Sequence, residues 1–175
     1  KVRPSNKDAL LETKGPYAVF AVADGMGGHR GGNVASAMAV DCLSEINTRQ
    51  PPEEEAFRAV FDRANRLIWE RQRRDLSLSG MGTTLTALWE GEEHVLLGHV
   101  GDSRAYLLRD GVLRQVSADH SLVGELLRSG VLSAEDARTY QYRNVLLQAL
   151  GQESALSADT FALELPAEGQ LLLCS

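Results

Sequence analysis

A chain of 175 residues with 43% hydrophobic composition can bury one substantial core and is too short for two ordinary domains, so residues 1–175 read as a single domain. Its 24 acidic side chains against 18 basic ones leave a formal net charge of -6, which excludes the clustered basic face that a nucleic acid or an anionic membrane surface requires. Cys42 and Cys174, each among apolar neighbours, form neither a disulfide framework nor a paired metal site and fit a reduced, cytoplasmic compartment; no apolar run approaches the roughly 20 residues that span a bilayer.

In chain order, Tyr17 to Asp24 is a small and β-branched run that predicts a buried strand, followed by the glycine cluster Gly25-Met26-Gly27-Gly28 and a helical pattern from Asn33 onward. Val34, Met38, Cys42 and Ile46, with Ala35, Ala39 and Leu43 beside them, share one face of that helix, and Pro51-Pro52 ends the unit. A second amphipathic helix runs through Phe57, Val60, Phe61, Ala64, Leu67 and Ile68, with Arg63, Arg66, Arg71, Arg73 and Arg74 on its solvated side and end. After Gly80 the period becomes that of strands: Thr84 to Trp89, His94 to Val100, Arg104 to Leu108 and Val112 to Val116, read as an antiparallel meander. Asp110-Gly111 is the dipeptide of a two-residue hairpin whose central residues both take positive φ. Residues 121–144 read as a helical excursion, a candidate flap, in which Ser133-Ala134-Glu135-Asp136 starts a short helix. Strand-like sequence resumes with Thr160 to Leu165 and Leu171 to Cys174. Two helices followed by hairpins predict an α+β fold rather than an alternating parallel sheet.

The chemistry points to a hard divalent cation. A strand that delivers Asp24 into a glycine-rich loop supplies a carboxylate and, at Gly25, a turn that exposes a carbonyl; Asp8 and Asp102 are the other candidate oxygen ligands. Asp24 and Asp102 end two different strands and are expected to meet at one edge of a sandwich. The bland alternative for Asp24 is the first residue of an ordinary turn. Two cations sharing a carboxylate would lower the pKa of a water and clamp an in-line displacement at phosphorus, with Arg3 as the bidentate phosphate partner.

Rival chemistries lack their patterns. Cys42 has six residues before Arg49, where a thiol phosphatase loop has a shorter spacing, and it lies on a helix face. Arg30 stands where a dinucleotide loop needs its third glycine, and Ala105 follows Ser103 where a nucleophile elbow needs glycine. His94 and His99 read as structural strand residues and His29 as a loop cap; His120, after Asp119 at the mouth of the excursion, is the histidine nearest to a functional position.

These motifs together resemble the metal-dependent serine/threonine phosphatases of type 2C, especially their bacterial branch. Arg3-Pro4-Ser5-Asn6-Lys7-Asp8, Val22-Ala23-Asp24-Gly25-Met26-Gly27-Gly28-His29, Gly82-Thr83-Thr84, Gly101-Asp102-Ser103-Arg104 and Asp119-His120-Ser121 follow in the family's order. The resemblance implies a four-layer α-β-β-α sandwich of two antiparallel sheets with Mn2+ or Mg2+, two ions and a weaker third, between the sheets at one end. It implies that Asp24 bridges two metals, Gly25 gives its carbonyl, Asp8 acts through water, Asp102 serves the third cation and Arg3 binds the substrate phosphate. Phosphoserine or phosphothreonine on proteins would be attacked by water without a phosphoenzyme, and the implied partners are serine/threonine kinases and their substrates.

Lys7 stands where many members have glutamate, which removes a negative charge beside the metals. Met26 replaces a histidine that some relatives use to protonate the leaving alkoxide. The family also continues past a Leu-Cys-Ser strand with an Asp-Gly pair and a later acidic ligand, so the 175 residues are read as a catalytic domain incomplete at its C-terminus. The alternatives are a non-catalytic phosphatase-like domain that binds or regulates phosphoproteins, and a phosphatase of small molecules.

Overall fold

Alternation decides the architecture. In the computed structural model, which describes residues 6–28, 30–164 and 168–175, β1 (Asp8–Glu12), β2 (Val19–Met26), β4 (Leu85–Glu90), β5 (His94–Val100) and β8 (Asp159–Glu164) lie side by side in that order, every pair antiparallel. The two-residue β3 (Gly82–Thr83) pairs with the end of β2 at Gly25 and Met26. A second sheet has the order β7 (Val112–Gln115), β6 (Arg104–Arg109), β9 (Gln170–Cys174).

Because successive strand residues point to opposite faces, Val19, Ala21, Ala23, Leu85, Ala87, Trp89, Leu96 and Val100 join the core with the helices, while Phe20, Leu88, Val95 and Leu97 pack toward Ala105, Leu171 and Leu173 of the second sheet. The larger sheet is thus sandwiched between α1 (Gly31–Ser44) and α2 (Glu54–Arg74) on one face and the smaller sheet on the other. This is the expected α+β class built on two antiparallel sheets.

The helices follow their patterns. Ala35, Ala39, Cys42 and Leu43 of α1 are buried, and Val34, Met38 and Ile46 pack at the margin of the same core. In α2, Phe57 and Phe61 are fully buried and meet edge to face, ring centroids 5.5 Å apart. Burial of each such ring stabilises by about 1.5–3 kcal/mol, and the edge contact adds about 0.5–1.5 kcal/mol. Glu54 and Glu55 in the first turn and Arg71, Arg73 and Arg74 in the last complement the dipole of α2.

The structure refines four readings and bears out that of the hairpin. Asp24 is not the first residue of a turn: β2 continues through it to Met26, because β3 supplies a partner for Gly25 and Met26. Helix α1 begins at Gly31, two residues before the apolar pattern, since its first turn packs by backbone proximity and not by side chains. The meander divides between the sheets: β4 and β5 stay in the larger one, and the chain turns at Gly101 to start the smaller one with β6. The hairpin between β6 and β7 has Asp110 at φ 50° and Gly111 at φ 74°, as its dipeptide requires. The strand expected over Thr160 to Leu165 is β8, with Leu165 outside the described residues.

The excursion holds α3 (Leu122–Arg128) and α4 (Ala134–Ala137), capped by the hydroxyls of Ser121 and Ser133, which accept from the amides of Gly124 and Asp136. Its base is closed by backbone bonds from Leu122 to Val145 and from Leu147 to His120.

Candidate metal centre

The carboxylates come together because β4 lies between the strands that carry them. Thr84, just before β4, receives a hydrogen bond from the Asp24 amide on its Oγ1 (2.9 Å) and shares another with the hydroxyl of Ser103 (2.7 Å). Its own amide donates to the Asp24 carbonyl at 3.0 Å, and so does the Thr83 hydroxyl at 3.0 Å. Thr83, Thr84 and Ser103 are all buried, so this short ladder of hydroxyls fixes the Asp24 backbone to the turn bearing Asp102 in a region where unmade hydrogen bonds are costly. That turn is tight. Gly101 has φ 107°, and a Cβ there would lie 2.7 Å from the Cβ of Thr84.

Asp24, Gly25 and Asp102 line one polar cavity of about 520 Å³ at the end of the inter-sheet space, with Lys7, Met26, Thr84, Asn144 and Gln152. Asp8 is the cross-strand partner of Asp24 in the β1–β2 register. The pair therefore shares a face with Cβ atoms about 4.5–5.5 Å apart, and two like charges so placed repel. The Ser175 hydroxyl donates to Asp8 Oδ2 at 3.4 Å. Partial burial first and Asp119 second push the Asp102 carboxyl up from its ordinary value, against the opposing pull of Arg104. These donors, carboxylates and carbonyl oxygens, match what Mg2+ and Mn2+ accept. Among the described residues, no three His, Cys, Asp or Glu side chains form a group able to hold an ion. Arg3 and His29 lie outside the described residues.

Gly25 is required by close approach: a Cβ on it would lie 2.1 Å from the carbonyl oxygen of Gly32 at the start of α1. A second cleft of about 500 Å³ is lined mostly by apolar side chains, Leu10, Phe20, Val22, Leu88, Leu171 and Leu173, with the carboxylates of Glu12 and Glu90 also on its wall.

His99 is fully buried, as its strand position implied. Its Nε2 donates to the Ala118 carbonyl at 3.1 Å and its Nδ1 faces the Thr86 hydroxyl at 2.9 Å. Burial, with the His120 ring 4.9 Å away, lowers its pKa to about 4. His120 takes the Gly101 amide on Nδ1 at 3.3 Å and donates from Nε2 to Asp159 at 3.1 Å, so it holds the Asp102 turn against β8. Arg104 forms a bidentate pair with Asp119, 2.6 Å at its shortest, which raises the guanidinium's proton affinity. Asn144 and Gln152 had no signal in the sequence. The Gly82-Thr83-Thr84 motif did, although it was read as a strand start and not as the clamp on Asp24.

Comparison with known proteins adds the following. The profile of the Protein phosphatase 2C family matches residues 3–162. The chain is 43% identical over 183 residues to the serine/threonine phosphatase stp of Listeria monocytogenes, a match covering 100% of this chain and 73% of that protein. Among solved structures, the Mycobacterium tuberculosis serine/threonine phosphatase PstP/Ppp superposes with a TM-score of 0.90 at 35% identity, covering 100% of this chain and 74% of that one. The catalytic domain of PstP in complex with two manganese ions superposes with a TM-score of 0.87 at 34% identity, over 100% of this chain and 73% of that one.

Proposed function

The chain belongs to the protein phosphatase 2C family, and from that premise we propose that it hydrolyses phosphoserine and phosphothreonine on proteins at a centre of two divalent cations, Mn2+ or Mg2+. The observation that carries the reading is the convergence of Asp24, Gly25 and Asp102 on one polar cavity, clamped from behind by Thr84. Asp24 would bridge the two ions, Gly25 would offer its carbonyl, Asp8 would act through water, Asp102 would serve a third, weaker cation and Arg3 would bind the phosphate. When bound, such cations lower the pKa of water and neutralise charge on the phosphoryl oxygens.

The protein's own residues do the positioning. Thr83 and Thr84 hold the Asp24 main chain, Gly101 and His120 hold the turn of Asp102, and Asn144 at the cavity wall would offer an amide donor to phosphoryl oxygens, while the Gln152 amide rests on Met26 Sδ at 3.3 Å. Asn144 also ends the excursion over residues 121–144, which supports its reading as a flap within a single catalytic domain. Met26 offers no proton to a leaving alkoxide.

No helix among the described residues is long and apolar enough to cross a membrane, and free Cys42 and Cys174 support action in a reducing, cytoplasmic setting. Phosphorylated proteins, kinases and kinase substrates among them, are the proposed partners.

The test is Mn2+-dependent phosphate release from a phosphothreonine peptide, with a chelator control, circular dichroism and the Asp24→Asn variant. Turnover abolished by chelator and lost in Asp24→Asn supports the hydrolase. A folded chain that binds the peptide without turnover favours the second reading, a non-catalytic phosphoprotein-binding domain; among the described residues no three His, Cys, Asp or Glu side chains are grouped to hold an ion. Turnover confined to small phosphate esters refutes the protein substrate.

A further inference from the structure

The start of α1 is built without the groups that usually serve a helix N-terminus: its first turn has no acidic residue, and Arg30 at the cap makes no side-chain hydrogen bond. The side chain that lies there is Lys7. Its Cδ runs so close to Gly32 that a Cβ on that glycine would sit 2.8 Å away. Its ammonium donates to the carbonyl oxygens of Gly27 at 2.8 Å and Gly28 at 3.3 Å. The Lys7 main chain is fixed as well, its carbonyl accepting from the Gly25 amide at 3.2 Å and the Ser36 hydroxyl at 2.7 Å.

A positive charge near a helix N-terminus is disfavoured, so the ammonium is kept there by the two carbonyls it binds. Neighbouring loop carbonyls converging on one positive charge is how a loop commonly holds a metal ion. Here the charge is covalently tethered to β1's leading residue, and the same side chain lines the cavity of Asp24 and Asp102.

We propose that Lys7 is a positioning residue: its ammonium acts as a tethered cation that sets the glycine loop after Asp24 before any divalent ion arrives, and its fixed charge on the cavity wall weakens the binding of that ion. The loop half stands on the hydrogen bonds alone, whereas the charge half rests on the metal centre proposed above. The consequence is a loop ordered in the metal-free protein and a centre that fills only at higher cation concentration. Lys7→Met keeps the apolar stem and removes charge and donors; Lys7→Arg keeps both.

Hydrogen exchange of residues 25–32, measured by mass spectrometry on the whole chain in chelator, is expected to quicken about tenfold or more in Lys7→Met and to stay near the parent rate in Lys7→Arg. Calorimetric titration with Mn2+ alone is expected to show binding about threefold or more tighter in Lys7→Met. Parent-like exchange in Lys7→Met overturns the loop half, and unchanged or weaker Mn2+ binding overturns the charge half. A parent chain that takes up no Mn2+ refutes the metal reading and the charge half together, while exchange still decides the loop half.

Discussion

Acid should weaken this fold through His99. The ring is fully buried, and its pKa falls from 6.5 to about 4, first because burial disfavours the imidazolium and second because the His120 ring stands close by; Asp159, the Ala118 carbonyl and Asp119 oppose the shift. A histidine whose folded pKa lies below its unfolded value leaves the unfolded chain binding more protons between the two values. Its contribution is therefore complete above pH 6.5 and is lost as the pH falls toward 4.

The full span is worth about 3 kcal/mol, and at pH 5 the loss is about 2 kcal/mol. With a urea m-value of about 2 kcal/mol/M for a chain of this size, the midpoint moves down by about 1 M between pH 7.5 and 5 from this group alone. Carboxylates also titrate in that range, so the informative quantity is the difference between parent and His99→Gln, which keeps a donor for Ala118 and does not titrate. Urea unfolding of both proteins at a series of pH values should show their stability difference shrinking by about 2 kcal/mol toward pH 5. A difference flat to within about 0.5 kcal/mol would refute the argument that burial holds His99 neutral.

Gly98→Ala would set a Cβ 2.4 Å from Phe61 Cε2 and 3.0 Å from Phe57 Cε1, both in the packed core; urea unfolding should register a loss of about 1–3 kcal/mol. Thr84→Val removes the hydroxyl that serves the Asp24 amide and Ser103; it should cost about 1–3 kcal/mol in the same assay and weaken Mn2+ uptake measured by calorimetry. Mn2+ at about a hundred times its dissociation constant should stabilise the chain by about 2.7 kcal/mol, read as a rise in melting temperature that chelator reverses and Asp24→Asn abolishes. An equal rise in Asp24→Asn would place the ion elsewhere.

What could be read from the sequence divides along a physical line. Apolar runs carried the strands and periodicity both long helices, because the runs over Val19 to Ala23 and Leu85 to Trp89 and the spacing from Phe57 to Ile68 record burial directly, whereas the face each strand residue takes came only from the fold. The Asp110-Gly111 hairpin was legible for a similar reason, since its backbone conformation is imposed by the two residues themselves. The split of the meander was not, because β5 and β6 are both strands in either topology and only the turn at Gly101 sends the second to the other sheet. Nor was the early start of α1, where Gly31 and Gly32 carry no periodic signal and are buried by the approach of Met81 and Gly25.

The candidate site shows the same division more sharply. Asp24 and Asp102 stand out in one dimension because each sits beside a glycine at the end of an apolar run, and strand order then brings the end of β2 and the turn after β5 together across a single intervening strand. Thr84 is a polar residue in an apolar run, a local signal of a buried hydrogen bond, but its partners lie 60 and 19 residues away and cannot be named without the fold. Asn144 and Gln152 are less legible still, because the excursion places them by a path with no strand register to constrain it. Lys7 is the instructive case: read by charge alone it is only a missing carboxylate, yet its length lets the ammonium pass Gly32 and reach the carbonyls of Gly27 and Gly28. On the proposal made above, a side chain that adds positive charge beside the centre also supplies a structural cation to the same loop, and the two effects would act in opposite directions: order gained before the ion binds, and attraction for the ion lost.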